Sequence, residues 1–325
     1  MTKPRIGLAA SILLAAVALA APAAAQEYPA RDIRVICNFT PGSAFDVFVR
    51  FYAERLSAIT RQNVKVENRT KYFGTEATQT AAKAKADGYT ILITPASSTL
   101  AAAVHMHRKL KWNPLTDFAP VTTIANASHA VLVNPKSPIK TLADLTAYEK
   151  TRKDDAAFGA NVDTSLAAAA LYNKLAGAQA LRIPSTSVPT LINDLYAGDA
   201  DYIVLDVPSA ADAVKAGKLR ALAVTGKARA SALPDVPTME EAGLKGYGSV
   251  ERWWAVFVPS KTPPAIVEKL EATFNRILES EESKKFLANV GADAMPGDAK
   301  STRTLLASEV KRWGDLVKIA GMQAK

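Results

Sequence analysis

Sulfur and imidazole are scarce in this chain: its 325 residues include one cysteine, Cys37, and three histidines. A single cysteine excludes an internal disulfide. Its place inside an expected strand, away from the end of the first apolar run, also excludes a lipid-modified N-terminus. His105 and His107 form an H-x-H pair, but two positions apart on a helix they point away from each other, and no cysteine or carboxylate at metal spacing accompanies them. They are expected to be ordinary surface histidines, and His129 stands alone. No G-x-S-x-G elbow, phosphate loop, dinucleotide fingerprint or H-E-x-x-H stretch occurs, so hydrolase, nucleotide and zinc-protease chemistry lack their mechanical parts. Neither a cofactor nor a metal is expected, and the chain does not read as an enzyme. The formal net charge is +9, yet Lys and Arg are scattered among Asp and Glu without a basic block. That pattern excludes nucleic acid as a partner and leaves a weak steering field for anions.

Long hydrophobic runs are missing everywhere but at the start. Lys3 and Arg5 precede an apolar run over residues 6–21 that ends in Ala23, Ala24 and Ala25. This is the pattern of an export signal over 1–25, cleaved before Gln26, and the run is short for a membrane span. About 300 residues remain, too many for one ordinary core and enough for two domains. A hydrophobic content of 49% against 22% charged residues excludes a disordered or fibrous chain.

What is present is a regular alternation of strand and helix, the pattern of α/β layers with parallel sheets. Strands are expected at 33–39, 64–67 and 89–94, with helices at 46–59, 75–86 and after the polar loop 95–99. Strand-like segments 119–124 and 129–133 lead into a second series. There helices 142–150, 164–175, 189–197 and 209–216 alternate with strands 156–160, 181–185, 202–207 and 219–225. An apolar strand at 253–258 carries the chain back, and helices 264–278, 281–290 and 301–320 complete it. Two doubly wound lobes joined by hinge strands follow, with 26–124 and 250–325 forming a discontinuous first lobe around a second at 125–249.

In open α/β sheets ligands sit beyond the C-terminal strand ends, where helix starts aim free N–H groups at an anion. Five loops occupy such ends. In the first lobe they hold Thr40, Ser43, Ala44 and Asp46, then Ser97, Ser98 and Thr99. In the second they hold Asn161, Asp163, Thr164 and Ser165, then Ser185, Thr186 and Ser187, then Asp206. None of these loops contains Lys or Arg, so recognition by neutral donors is expected. The same residue types also cap helices, and the two roles coexist when a side chain caps while nearby amides bind. Asp46, Asp163 and Asp206 read either as caps or as an acidic cluster for an amine-bearing solute. Trp253 and Trp254 face opposite ways along their strand, so at most one reaches the cleft, and core or hinge packing is expected of both.

The strand, TPGSAFD turn and helix at 33–46 resemble the PFPPGGxxD opening of the tripartite tricarboxylate transporter solute-binding proteins, the Bug family. VENR at 66–69, DGYTILI at 87–93, DFAPVT at 117–122, AGKLRALAVT at 216–225 and ALPDVPTMEEAGLKGY at 232–247 extend the resemblance across nearly the whole mature chain. It implies a type II periplasmic-binding-protein fold; with the export signal, a monomer in the periplasm is expected. It also implies a small carboxylate ligand and delivery to a permease of one large and one small membrane subunit. By position, Thr40, Ser43, Ala44 and Asp46 match the family's first ligand loop, Ser97, Ser98 and Thr99 its second, and Asp206 the aspartate after a second-lobe strand. A sensing subunit for a membrane receptor is an alternative with the same sequence features, and a periplasmic enzyme on this fold is a third reading.

Departures from the family pattern gather on the loops. PGG has become Pro41, Gly42 and Ser43; GAGG after ENRP has become Lys71, Tyr72, Phe73 and Gly74; an expected asparagine is Ala103; an expected histidine is Leu166; and PYKG has become Pro184, Ser185, Thr186 and Ser187. A changed pocket is expected, with Tyr72 and Phe73 as an apolar wall and Lys71 as a nearby cation for a bulkier or aromatic acid.

Overall fold

The computed structural model describes residues 28–71, 74–152, 155–185 and 187–323. The expected export segment 1–25 and residues Tyr72, Phe73 and Thr186 lie outside the described residues.

Two sheets share one long strand. The first has the order β2-β1-β3-β9-β4, with β1 (Ile33–Cys37), β2 (Val64–Asn68) and β3 (Thr90–Pro95) parallel, and β9 (Glu251–Pro259) inserted antiparallel between β3 and β4 (Phe118–Val133). The short β10 (Asp293–Ala294) pairs with the outer side of β4. From His129 onward β4 changes partners, pairing with β7 (Tyr202–Asp206) on one side and β8 (Arg220–Val224) on the other. Beyond β7 lie β5 (Ala157–Ala160) and β6 (Leu181–Arg182), both parallel to it.

The alternation of side chains along each strand divides the core. Val35, Ile91, Ile93, Trp254 and Val256 enter a cluster on one face of the first sheet, whereas Ile36, Leu92, Trp253, Ala255 and Phe257 enter the other. Both faces are covered, which is why these strands read as continuous apolar runs. On the first face lie α1 (Ala44–Thr60) and α8 (Pro264–Glu279), through Phe48, Leu56, Leu270 and Phe274. On the second lies the last helix, α10 (Ala299–Ile319), whose Leu306, Trp313, Leu316 and Val317 share a cluster with Tyr172 and Tyr202 of the second sheet's layer. One core therefore runs beneath both sheets. Above them the cores are separate, with Leu132, Leu191, Ile203 and Leu205 forming the second sheet's own.

The expected segments 119–124 and 129–133 are a single strand. Its polar middle stays in register because Ala127 and Ser128 pair with Arg252 and Glu251, and Asn126 Nδ2 donates to Glu251 Oε1 at 2.7 Å. Pro120 is tolerated inside it at a register shift, where no ladder N–H is required. The strand expected at 181–185 is only Leu181–Arg182, exposed at the sheet edge. The remaining helices are α2 (Thr75–Ala82), the four-residue α3 (Ala103–Met106), α4 (Leu142–Arg152), α5 (Asp163–Ala176), α6 (Val188–Ala197), α7 (Val207–Lys215) and α9 (Glu281–Asn289). A π-helical turn, Ser97–Ala102, precedes α3.

Candidate functional site

Register fixes where the two sets of strand ends meet. Pro95, the last residue of β3, pairs with Trp254 near the start of β9, and Asp206, the last of β7, pairs with His129, where β4 enters the second sheet. The parallel strands of both sheets thus end toward one junction, and their loops face each other across it. Two cavities lie there, of about 410 and 390 Å³, each lined from both sides. The first combines Ser98 and Thr99 with Asp163, and adds Asn38, Phe39, Thr75 and His107. The second combines Ala44 with Asn161 and Asp206, and adds Phe45, Phe48, Arg252 and Trp254.

The first loop is built around Asp46. This carboxylate is buried and fully engaged: Oδ2 accepts from the Gly42 amide at 2.8 Å and from Arg50 Nε at 2.8 Å, and Oδ1 accepts from Asn68 Nδ2 at 2.7 Å. Burial alone raises the carboxyl's pKa, but the hydrogen bonds from Arg50, Asn68 and Gly42 prevail and hold it below the ordinary value. Gly42, at φ +78°, takes the left-handed turn that lets its amide reach Asp46. Ser43 caps α1, its Oγ accepting from the Asp46 amide at 3.3 Å. Asp46 is thus a brace for the turn, and exposed Thr40 and Ala44 stand at its outer edge.

In the second loop Ser97 is wholly buried and accepts from the Trp253 amide at 3.4 Å, so it ties the loop to β9, while Ser98 and Thr99 face the cavity. Thr99 Oγ1 accepts from Asn38 Nδ2 at 3.4 Å, and Asn38 Oδ1 accepts from Thr94 at 3.0 Å. Asn38 went unnoticed in the sequence; its signal was an amide closing an otherwise apolar strand.

Across the junction Thr164 and Ser165 are buried inside their own loop. Ser165 Oγ donates to Asn161 Oδ1 at 3.1 Å and accepts from the Val162 amide, and Thr164 Oγ1 meets His129 Nε2 at 2.9 Å. Asp163 is exposed at the cleft mouth, where crowding by protein atoms raises its pKa against the pull of Arg182, His107 and Arg252. Asp206 accepts from Asn161 Nδ2 at 3.2 Å and Ser209 Oγ at 3.1 Å. Ser185 and Ser187 follow the edge strand and are in neither lining, and the same is true of Lys71, which is exposed. Asp46, Asp163 and Asp206 do not form one acidic cluster: Asp163 and Asp206 belong to different cavities and Asp46 faces inward.

The histidines also depart from expectation. His105 is half-buried, its Nε2 at 2.7 Å from Val310 O and its ring against Gly314 of α10, and His107 lines the first cavity. His129 is completely buried where β4 changes sheets. Burial and, next, the Arg252 charge pull its pKa down to about 4, so the ring is neutral at pH 7. Among the described residues no group of three or more His, Cys, Asp or Glu is placed to hold a metal ion.

The largest difference from a site of neutral donors is Arg252. It comes from the strand β9, not from a loop, and is 5% exposed. Its guanidinium lies 4.9 Å from the Phe45 ring centroid and 5.8 Å from that of Trp254. Trp254 in turn stacks on Phe48 at 5.0 Å, while Trp253 points to the opposite core. The sequence signal was an arginine heading an apolar strand.

Two sheets exchanging a long strand, with helix starts converging on a shared cleft, define a periplasmic-binding-protein fold. The chain belongs to the tripartite tricarboxylate transporter family of receptors, whose sequence model matches residues 48–322. Over 327 residues it is 32% identical to Protein BugT of Bordetella pertussis, with 100% of both chains covered. A R. palustris protein solved with adipate is 29% identical and superposes with a TM-score of 0.75, covering 92% of this chain and 100% of that one. MatC from Rhodopseudomonas palustris with bound malate is 28% identical, with a TM-score of 0.70 over 89% of this chain and 100% of that one. The chain is accordingly a solute-binding receptor and not an enzyme. Among the described residues no helix is long and apolar enough to cross a membrane.

Proposed function

We propose that this protein captures a small organic carboxylate between two hinged lobes and hands it to a tripartite permease of one large and one small membrane subunit. It does so in the periplasm, after the leader 1–25 has been removed. The carrying observation is that the second cavity at the junction takes its walls from both sides, Ala44, Phe45 and Phe48 facing Asn161, Asp206 and Ser209, with Asp163 closing the first from across the junction, so that a bound solute would bridge them. The lobes in this reading are residues 26–124 with 250–325, and 125–249, with 125–128 as the link that still pairs with β9. The pivot falls where β4 exchanges the β9 ladder for that of β7, between Ser128 and His129, beside the return at Val250 and Glu251.

The relatives solved with adipate and malate support a carboxylate as the solute. The chemistry of the cleft does too: the start of α1 and the Arg252 side chain offer positive potential at the second cavity. The test is calorimetric titration of the mature protein with adipate, malate and benzoate, and with glucose as a neutral control, accompanied by small-angle scattering. Saturable binding of at least one acid near micromolar affinity, with a smaller radius of gyration in the complex, is the expected result. Failure of every acid to bind at millimolar concentration overturns the proposal.

A further inference from the structure

We propose that Arg252 is the carboxylate anchor of a pocket shaped for an aromatic monocarboxylate, whose ring lies among Phe45, Phe48 and Trp254. This rests on the carboxylate-capturing role proposed above and narrows it to a class of solute.

The first observation is the arginine itself. A buried guanidinium carries a large desolvation cost unless it is paired. Arg252 is 95% buried, and among the described residues its guanidinium forms no ion pair with a carboxylate and no hydrogen bond. Two aromatic faces hold it, at 4.9 and 5.8 Å. Its surroundings leave it short of a counter-ion: burial lowers its pKa, and Asp206 and Asp163 oppose that only from beyond ion-pair distance. A planar fork with free N–H edges turned to a cavity matches an incoming carboxylate in two parallel hydrogen bonds.

The second observation is the remainder of that cavity. Its volume, about 390 Å³, falls within the range of small-molecule sites. The wall is aromatic and aliphatic: Phe48 stacks on Trp254 at 26° between ring planes, Phe45 lies 6.0 Å from Trp254, and Val290 and Ala292 close the far side. A second carboxylate would have to lose its water against that wall, or approach Asp206, whose charge repels it. A zwitterion would have to strip the water from its ammonium against the same wall, where Asp206 is the acidic residue of the lining. A single carboxylate on an apolar ring meets neither cost.

The experiment titrates the mature protein with benzoate, benzamide, adipate and phenylalanine, and repeats the benzoate titration with Arg252→Gln and Ala44→Leu. Benzoate is expected to bind at least tenfold more tightly than adipate or phenylalanine. Benzamide has the same shape without the charge, and Arg252→Gln keeps hydrogen bonding without the cation; each should weaken binding about thirtyfold or more, as loss of charge-assisted hydrogen bonds implies. Ala44→Leu fills the cavity mouth from an exposed position and should weaken benzoate at least tenfold while leaving the fold intact. The benzamide comparison and the Ala44 variant keep the test decisive where Arg252→Gln does not fold. Adipate binding with benzoate excluded, benzoate affinity unchanged in Arg252→Gln, or phenylalanine preferred over benzoate overturns this inference and leaves the carboxylate role standing. Absence of binding by all the acids overturns both.

Discussion

Replacing Asp46 with asparagine preserves the side chain's shape and removes its charge, which separates a brace from a ligand contact. The carboxylate takes two hydrogen bonds at Oδ2, from Gly42 and Arg50, and one at Oδ1, from Asn68. Whichever way the new amide turns, its NH2 opposes a donor: Asn68 in one orientation, Gly42 and Arg50 in the other. Asn68 cannot turn to relieve this at no cost, because its amide also donates to Phe39 O and its oxygen accepts from Arg50. Charge-assisted bonds contribute roughly 1.5–3 kcal/mol each. The Arg50 side chain is 42% exposed and regains water, so the net loss from Asp46→Asn is about 2–4 kcal/mol. Urea unfolding at pH 7 reads it. A double-mutant cycle with Arg50→Ala should return a coupling of about 1 kcal/mol or more. Because the folded pKa is depressed, the wild-type advantage is full above the unfolded carboxyl range and disappears as pH falls through the folded value. A loss below about 0.5 kcal/mol at pH 7, or one that persists undiminished at the lowest pH where the protein remains folded, would refute the reasoning.

Two buried groups give opposite pH slopes. His129, at about 4 folded against 6.5 unfolded, costs about 3 kcal/mol of stability as pH falls from 6.5 to 4, and His129→Gln should remove that slope in urea titrations. Burial, only partly offset by the Tyr172 hydrogen bond, pushes Glu149 up to about 7 from 4.5, so it costs a similar amount as pH rises between those values; Glu149→Gln should unmask the histidine slope, and a flat profile in both variants contradicts the assignment. Gly159→Ala places a Cβ 2.4 Å from Leu191 Cδ2 and 3.2 Å from Ile203 Cγ2, an over-packing expected to lower stability by about 1–3 kcal/mol in the same assay, and an unchanged midpoint speaks against it.

Strand and helix periodicity carried most of the architecture because the central strands β1, β3, β4, β7 and β9 are buried on both faces and the long helices carry an apolar side. The errors have local causes. Residues 119–133 read as two strands because Asn126 and Ser128 are polar, and only the long-range pairing with Glu251 and Arg252 makes that stretch continuous. The loops of the cleft were legible as Ser, Thr, Asn and Asp at strand ends, but which of them turn inward was not. Ser97, Thr164 and Ser165 are consumed by Trp253, His129 and Asn161, partners distant in sequence or buried beside them. A cation was sought at Lys71, where the loop departs from the family, but the buried one sits in an apolar strand. Its proximity to Phe45 and Asp206 is a product of tertiary structure that no local pattern encodes.

Placing the anchor on β9 has a mechanical consequence for closure. Arg252 pairs with Ala127, two residues before β4 changes sheets, and is therefore close to the proposed pivot, where displacement is smallest. Ala44 and Phe45 on one side, and Asn161 and Asp206 on the other, would move relative to it while the guanidinium stays nearly fixed. A carboxylate could then engage Arg252 before the walls close, so that closure adds ring contacts and water exclusion to an ion pair already made. The shared core limits how such a pivot can run. Trp313, Tyr172, Tyr202 and Trp253 pack together beneath both sheets, and exposing large apolar side chains costs roughly 1.5–3 kcal/mol each. Closure must keep that face joined and open only the side where the cores of the two sheets are already separate, which is a small bend about β4, β9 and α10 and not a parting of the lobes.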